Sequence, residues 1–87
     1  MESFKFSWLP VTKKQLRQLP QREVERIIAK ISALAADPFP HGSVKMVDSD
    51  YSYRIRVGDY RVIYEVFQNE KIIEIQRIRH RKDVYRG

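Results

Sequence analysis

Cysteine is absent from this chain of 87 residues, and glycine, with three residues, is scarce. Without cysteine, the chain can form neither a disulfide framework nor a cysteine-ligated zinc site. The histidines His41 and His80 stand alone and form no metal-binding constellation, and there is no glycine-rich phosphate loop. We therefore expect no metal ion and no other cofactor.

Long apolar runs are also missing from the sequence. The N-terminal residues lack the apolar segment of a signal peptide. No stretch approaches the roughly 18 apolar residues of a membrane-spanning helix. The default expectation is a soluble cytoplasmic protein that does not insert in a membrane.

Acidic residues are outnumbered, since 11 aspartates and glutamates face 17 lysines and arginines, and the net charge is +6. Such a balance favours a polyanionic partner, which could be nucleic acid, an anionic membrane or an acidic protein. A hydrophobic content of 43% is typical of a globular protein. The length predicts a single domain over residues 1–87.

The first half of the chain predicts a strand and two helices. Residues 4–8 alternate apolar and polar side chains, as a strand with one buried face does. Residues 10–19 favour a short helix with Val11 on its apolar side. A second helix, which begins near Pro20, is the clearest element because its apolar residues recur at helical spacing. They are Val24, Ile27, Ile28, Ile31, Leu34 and Ala35.

Residues 51–66 predict two strands joined by the two-residue loop Gly58-Asp59. A glycine in the first loop position suits a type II′ turn, and such a turn fixes the register of the two strands. One face of this hairpin is then entirely apolar or aromatic and is predicted to belong to the core. Its members are Tyr51, Tyr53, Ile55, Val57, Tyr60, Val62, Tyr64 and Val66.

The opposite face of the same hairpin carries Arg54, Arg56 and Arg61. Like charges that face each other across strands are destabilising, by about 1 kcal/mol in water and about 4 kcal/mol in a half-buried setting. A bound anion would relieve this repulsion, and the planar guanidinium group suits phosphate. The alternative is a solvated basic face that Glu65 partly neutralises.

Residues 71–79 predict the last strand, after a turn centred on Asn69-Glu70. This turn would place Ile73 on the core face and Glu74 on the other face, opposite Glu65.

The same alternation sends Arg79 to the core face, away from the other arginines, unless a β-bulge or an early exit from the strand reverses it. Residues 44–47 predict one more short strand. The element order predicts an α+β fold, in which two N-terminal helices pack on one face of a mostly antiparallel sheet of four to five strands. A short basic tail or helix follows.

The residue types on the arginine face and in the tail suit RNA cleavage. The 2′-OH of RNA can attack the adjacent phosphate, so a protein need supply only a proton acceptor, donors for the growing negative charge and a hold on the bases. The arginines could stabilise that charge, His80 could transfer a proton and Tyr85 could stack on a base. Equally, His80 could be an ordinary surface histidine, and Tyr85 could anchor the tail on the core.

Two segments, residues 53–66 (YRIRVGDYRVIYEV) and 78–86 (IRHRKDVYR), resemble the RelE toxins of the RelE/ParE superfamily. The resemblance implies a RelE-like fold and a type II toxin of bacteria or archaea. It further implies a metal-independent endoribonuclease that cleaves mRNA in the ribosomal A site. A cognate antitoxin would silence the toxin by wrapping around it.

The resemblance also implies roles for individual residues. The catalytic positions fall on five residues: Arg56, Arg61, Arg79, His80 and Tyr85. RNA binding is assigned to three others: Arg54, Arg81 and Lys82. Some relatives carry lysines in place of Arg54 and Arg56. Because arginine stays protonated, a proton acceptor on these strands would have to move, and His80 is the candidate.

Two other functions stay open on the sequence alone. A ParE-like toxin would share the fold but would inhibit DNA gyrase by binding, without cleaving anything. A non-catalytic basic module would bind RNA or an acidic protein with a strong dependence on salt.

Overall fold

A computed structural model describes residues 3–47 and 49–84. The elements, in chain order, are β1 (Lys5–Trp8), α1 (Pro10–Arg17), α2 (Gln21–Ala33), β2 (Val44–Lys45), β3 (Ser52–Val57), β4 (Tyr60–Phe67), β5 (Ile72–His80) and α3 (Arg81–Val84). The predicted α+β fold is confirmed. No helix within the described ranges is long and apolar enough to cross a membrane.

The five strands form one sheet in the order β1-β5-β4-β3-β2. Three of the four strand pairs are antiparallel, whereas β1 runs parallel to β5. The chain leaves one edge of the sheet after β1, passes through two helices and re-enters at the other edge with β2. Strand β4 lies at the centre, so its side chains have neighbours on both sides.

The core lies between helix α2 and one face of the sheet. Helix α2 contributes Ile27 and Ile31, and the residue that caps its C-terminus contributes Leu34, each at most 1% exposed. The strands contribute alternate residues: Ile55, Val57, Val62, Tyr64, Val66, Ile73, Ile75 and Ile78. Each fully buried aliphatic side chain stabilises the fold by roughly 1.5–3 kcal/mol. The alternation follows from the pleat, because successive side chains of a strand point to opposite faces.

The turn between β3 and β4 has the predicted type. Gly58 has a φ of 60°, whereas Asp59 does not have a positive φ, which is the combination of a type II′ turn. The predicted register of the two strands is observed. A side chain at position 58 would be strained by this φ, and its Cβ would lie 3.2 Å from the Arg26 guanidinium.

The turn between β4 and β5 is wider than predicted. Asn69 and Glu70 form the centre of a turn closed by a 3.3 Å hydrogen bond from the Lys71 N–H to the Gln68 carbonyl. Lys71 has a φ of 58° and has no pairing partner in β4. Strand β5 therefore begins at Ile72, and the predicted register is kept near the turn.

A β-bulge interrupts β5, and of the alternatives left open for Arg79 it is the one that the structure shows. Ile63 pairs with Arg77, and the next residue of β4, Tyr64, pairs with Ile75, which leaves Gln76 without a partner. An extra residue reverses the faces of all side chains beyond it. Arg79 therefore shares the face of Arg61 rather than the core.

Helix α1 holds the bulged part of β5 in place. Strand β1 accompanies β5 only as far as the pairing of Trp8 with Ile75. Beyond that point the Ile78 N–H donates a 2.8 Å hydrogen bond to Oε1 of Gln15 in α1. A buried N–H without a partner costs about 1–3 kcal/mol, so this side chain replaces the missing strand neighbour.

Three apolar residues lie differently from their predicted positions. Tyr51 precedes β3 and is 55% exposed, although it was predicted on the core face. Val47 was predicted in a strand, but β2 ends at Lys45 and Val47 is 98% exposed. In α1, Val11 is 42% exposed and Thr12 is buried in its place, with its hydroxyl bonded to a backbone carbonyl.

Tyr64 ties the loop before β2 to the centre of the sheet. Its ring is fully buried, and its hydroxyl donates a 2.9 Å hydrogen bond to the Pro38 carbonyl. Tyr53 continues this contact, because its ring lies 6.0 Å from that of Tyr64 and 4.9 Å from that of Phe39. Burial raises the pKa of Tyr64 from 10.0 to about 12, since the phenolate would lose its hydration.

This shift predicts a loss of stability at high pH. The unfolded chain releases the Tyr64 proton near pH 10.0 and the folded chain near pH 12. Between these values the free energy of unfolding should fall by about 1.4 kcal/mol per pH unit. Tyr64→Phe should cost about 1–2 kcal/mol at neutral pH through the lost hydrogen bond. Denaturant unfolding at neutral pH and near pH 11 measures both, and equal pH slopes for the two proteins would contradict this account.

Candidate functional site

The sheet face opposite the helices, which we call the open face, is the most highly charged surface of the sheet. Each side chain of β3, β4 and β5 that points to this face keeps some exposure to solvent, in contrast to the buried core positions between them. Because neighbouring strands lie about 4.8 Å apart, side chains in register form rows across the sheet. Three such rows follow one another from the Gly58 turn.

The first row consists of Arg56, Arg61 and Arg79, one from each of β3, β4 and β5. Arg56 is exposed, whereas Arg61 and Arg79 are half-buried. Arg61 is the centre of the row and directly faces a like charge on both sides. The bulge at Gln76 is the reason that the third arginine belongs to this row.

The second row consists of Arg54, Ile63 and Arg77, and the third of Ser52, Glu65 and Glu74. The predicted pairing of Glu65 with Glu74 is confirmed. Arg77 was missed by the sequence analysis. The sequence does hold a sign of its position, because the apolar residues of this strand change their spacing. Ile73 and Ile75 are two residues apart, whereas the next buried residue, Ile78, follows after three.

Among the residues that the structure describes, no carboxylate forms an ion pair with these two rows. In the described part of the chain, ion pairs within 4.0 Å occur between Arg26 and Glu23 and between Arg81 and Asp59. Glu65 is four residues from Arg61 along β4 and forms no ion pair with the first row. The described arginines of both rows therefore keep their charge uncompensated, as a site for an external anion requires.

Two clefts of about 190 Å³ each open beside the central arginines and share Arg56 and Arg61. The first lies toward the turn and is lined by Arg56, Gly58, Asp59, Tyr60, Arg61 and Arg81. The second lies toward β2 and is lined by Gly42, Val44, Arg54, Ile55, Arg56 and Arg61. Each cleft is lined by three arginines, whose planar guanidinium groups are donors that suit an anion such as phosphate.

The backbone of the Gly58 turn organises the first cleft. The Gly58 carbonyl accepts a 3.0 Å hydrogen bond from Nε of Arg56 and so restrains this side chain. The Asp59 carbonyl accepts a 2.7 Å hydrogen bond from the Arg81 N–H, and its carboxylate lies 3.9 Å from Nη1 of Arg81. The start of α3 is therefore fixed beside the arginines.

His80 is not brought together with the arginine row. It pairs with Tyr60 on the helix side of the sheet, and the two rings meet edge to face with centroids 5.1 Å apart. Its Nδ1 accepts a 3.2 Å hydrogen bond from the Lys82 N–H, so Nε2 carries the proton in this arrangement. Arg79 and His80, although adjacent in sequence, point to opposite faces.

The remaining predicted site residues belong to α3 and the C-terminal tail. Arg81 lines the first cleft, and Lys82 is exposed in α3. Tyr85 lies outside the described residues. Within the described ranges, no group of three or more histidine, aspartate or glutamate side chains could hold a metal ion.

Fold and open face together define a small basic α+β protein whose sheet carries rows of arginines on its open face. A family model for the ParE toxin of type II toxin–antitoxin systems of the parDE type matches residues 6–85. The protein RelE1 of Methanocaldococcus jannaschii, which is provisionally named a toxin, is 32% identical over 77 residues that cover 85% of this chain and 86% of RelE1. The chain therefore belongs to the RelE/ParE superfamily of type II toxins.

Solved structures of this superfamily share the fold over almost the whole chain. The archaeal RelE–RelB complex of Pyrococcus horikoshii OT3 aligns with a TM-score of 0.83 at 28% identity, over 98% of this chain and 99% of that one. The RelB–RelE complex of Methanococcus jannaschii aligns with a TM-score of 0.72 at 26% identity, over 91% and 94%. The isolated RelE toxin of E. coli, at 18% identity and a TM-score of 0.78 over 90% and 83%, shows the common fold alone.

The first row predicts a variant that is more stable than the natural protein. Arg61→Gln keeps part of the aliphatic stem and removes the charge that faces two others. We expect it to raise the free energy of unfolding by about 1 kcal/mol at low salt. The gain should shrink near 1 M salt, where the screening length is about 3 Å.

Denaturant unfolding at the two salt concentrations measures this difference. Arg22→Gln, on the exposed side of α2, removes a charge outside the rows and should change stability little. A destabilised Arg61→Gln, or a gain that salt leaves unchanged, would contradict the repulsion argument.

Proposed function

We propose that this toxin is a ribosome-dependent endoribonuclease that cleaves mRNA in the A site. The observation that carries the proposal is the first row, in which Arg56, Arg61 and Arg79 stand in register. Within residues 3–47 and 49–84, no described carboxylate pairs with them. A face selected for stability alone would not retain three facing like charges. A phosphodiester is the anion that best uses their planar, paired donors.

The reaction needs little more than this arrangement. The ribose 2′-oxygen forms a bond to the adjacent phosphorus, the bond from phosphorus to the 5′-oxygen breaks, and a 2′,3′-cyclic phosphate and a 5′-OH result. The 2′-OH loses a proton, and the leaving 5′-oxygen gains one. Negative charge grows on the phosphate oxygens between these events, and preorganised donors at this point supply an electrostatic contribution that is often the largest in catalysis.

The rows suggest a role for each arginine. Arg61, with a cationic neighbour on each side, would hold the reacting phosphate together with Arg79 and Arg56. Arg54 and Arg81 line the two clefts at either end and would position the RNA backbone. Exposed Lys82 would add to the same field, which draws a polyanion toward the face. Tyr85 remains the proposed contact for the scissile nucleotide.

The cleavage rate tests this assignment directly. Arg61→Ala should lower the rate of A-site cleavage about 10²–10³-fold, as removal of a transition-state donor does. Arg22→Ala, an arginine of α2 outside the open face, should cleave at the wild-type rate. Toeprinting of a short mRNA on programmed ribosomes measures the cuts. Equal rates for Arg61→Ala and the wild type would remove the arginine row from the mechanism.

Proton transfer by His80 is the weaker part of the assignment. Its ring lies on the helix side of the sheet, and its Nδ1 already accepts the Lys82 N–H. We propose that His80 positions α3 instead of moving the proton. His80→Gln keeps a hydrogen-bond acceptor and removes the titrating ring.

This variant should therefore lose less than about tenfold in cleavage rate, whereas loss of a general base would cost roughly 10²–10⁴-fold. Its pH–rate profile should have the same shape as that of the wild type. A large loss together with a changed profile would restore His80 as the group that transfers the proton.

We also propose a cognate antitoxin as the regulatory partner in the cytoplasm. The structural relatives from Pyrococcus and Methanococcus are complexes of RelE with RelB. An antitoxin segment that brings carboxylates to the first row would both neutralise the facing charges and exclude RNA. Relief of the repulsion between the arginines would thus favour binding of the antitoxin as well as binding of the substrate.

Inhibition of DNA gyrase is the second candidate function, because the family model that matches the chain is that of the ParE toxin. This function requires binding but no cleavage of RNA. A gyrase assay in which the toxin traps cleaved DNA, with no cuts by toeprinting, would establish it in place of the nuclease.

A further inference from the structure

We propose that the second row forms a second phosphate site, so that the open face holds two successive phosphates of one RNA strand. The new element is Arg77, which lies across Ile63 from Arg54. This inference rests on the proposed function in one respect, namely that RNA is the anion bound by the first row.

The geometry of the sheet separates the two rows by a distance that suits successive phosphates of one RNA strand. Arg61 and Ile63 are two residues apart on β4, so the rows are about 6.8 Å apart along the strand. Arg54 and Arg77 are separated by two strand spacings, about 10 Å between their backbones. Their long side chains can close on one group above Ile63 from opposite sides.

Ile63 suits the floor of such a site. Its side chain is half-buried and has no charge or hydrogen-bonding group of its own. A phosphate above it would therefore take its donors from Arg54 and Arg77. Both arginines are exposed, and among the described ion pairs neither has a carboxylate.

The second cleft connects the two rows. It is lined by Arg54 of the second row and by Arg56 and Arg61 of the first, with Gly42 and Val44 on its outer side. A backbone that leaves the first row along this cleft arrives at Arg54. The route for a second phosphate is therefore open in this conformation.

The third row marks the end of the proposed phosphate-binding surface. Glu65 and Glu74 face each other there, two residues beyond Ile63 on β4 and beyond the bulge at Gln76 on β5. The Glu74 carboxylate accepts a hydrogen bond from Nε2 of Gln76, which holds it in position. Two facing carboxylates would repel a third phosphate. The open face should therefore bind two successive phosphates and no third one.

A binding assay without ribosomes tests the second site. The probe is a 2′-O-methyl RNA trinucleotide without terminal phosphates, which has two charged linkages and no free 2′-OH to attack. Two analogues each carry one neutral methylphosphonate linkage. Dissociation constants are measured for the wild type, Arg77→Ala and the control Arg22→Ala.

Arg77→Ala should weaken binding of the fully charged trinucleotide about five- to tenfold, as loss of a charge-assisted contact does. The slope of log K against log[salt] should fall by about 0.7, the value for one phosphate of a single strand. In one of the two neutral-linkage analogues the effect of Arg77→Ala should vanish. Arg22→Ala should bind all three probes as the wild type does.

Equal losses with all three probes would mean that Arg77 acts only through the general field, and the second site would be wrong. No loss with any probe would also overturn it. Circular dichroism checks the fold, and Arg77→Gln, which keeps the aliphatic stem, replaces Arg77→Ala if that variant does not fold.

The boundary is tested with a tetranucleotide. Its third phosphate should add no affinity in the wild type and should add affinity in a variant with both Glu65→Gln and Glu74→Gln. A gain already present in the wild type would show that the third row sets no limit.

These results separate the inference from the proposed function. Linkage-dependent loss in Arg77→Ala together with no ribosomal cuts would keep the second site and reject the nuclease. Ribosomal cuts together with no effect of Arg77→Ala would keep the nuclease and reject the second site.

Discussion

The hydrogen bond from the Ile78 N–H to Gln15 of helix α1 lies where strand β5 reverses the faces of its side chains. Without the unpaired Gln76, a continuous strand would bury Arg77 and Arg79 beneath the helices, where a cation without a partner costs several kcal/mol. With it, Ile78 enters the core and both arginines reach solvent. The N-terminal helix layer thus influences the charge pattern of the opposite face, although α1 and α2 pack on the other side of the sheet.

The open face also shows a balance between stability and binding. A row of facing arginines weakens the folded state, whereas the apolar positions between them are almost fully buried and stabilise it. The two sets of side chains alternate along the same strands, so neither can shift in register without exposing the core. The core therefore fixes the positions of charges that would otherwise move apart, and donors fixed in this way need no rearrangement before they act.

Local rules of sequence account for most of this architecture. Alternation along β3 and β4 and the glycine of their turn were enough to place Arg54, Arg56 and Arg61 on one face. They were not enough for Arg79, because a bulge depends on a hydrogen bond between residues that are distant in sequence. The predicted burial of Tyr51 was wrong for a different reason, since alternation does not show where a strand begins. The side of the sheet on which His80 lies follows from the same bulge.

The parallel pairing of β1 with β5 joins residues 5–8 to residues 72–75, close to opposite ends of the described chain. Contacts this distant in sequence form late and slow the folding of a small domain. During synthesis, the sheet has no neighbour for β1 until β5 has left the exit tunnel, and the arginine row is incomplete for the same period. A nascent copy therefore lacks a complete arginine row until its last strand has been released.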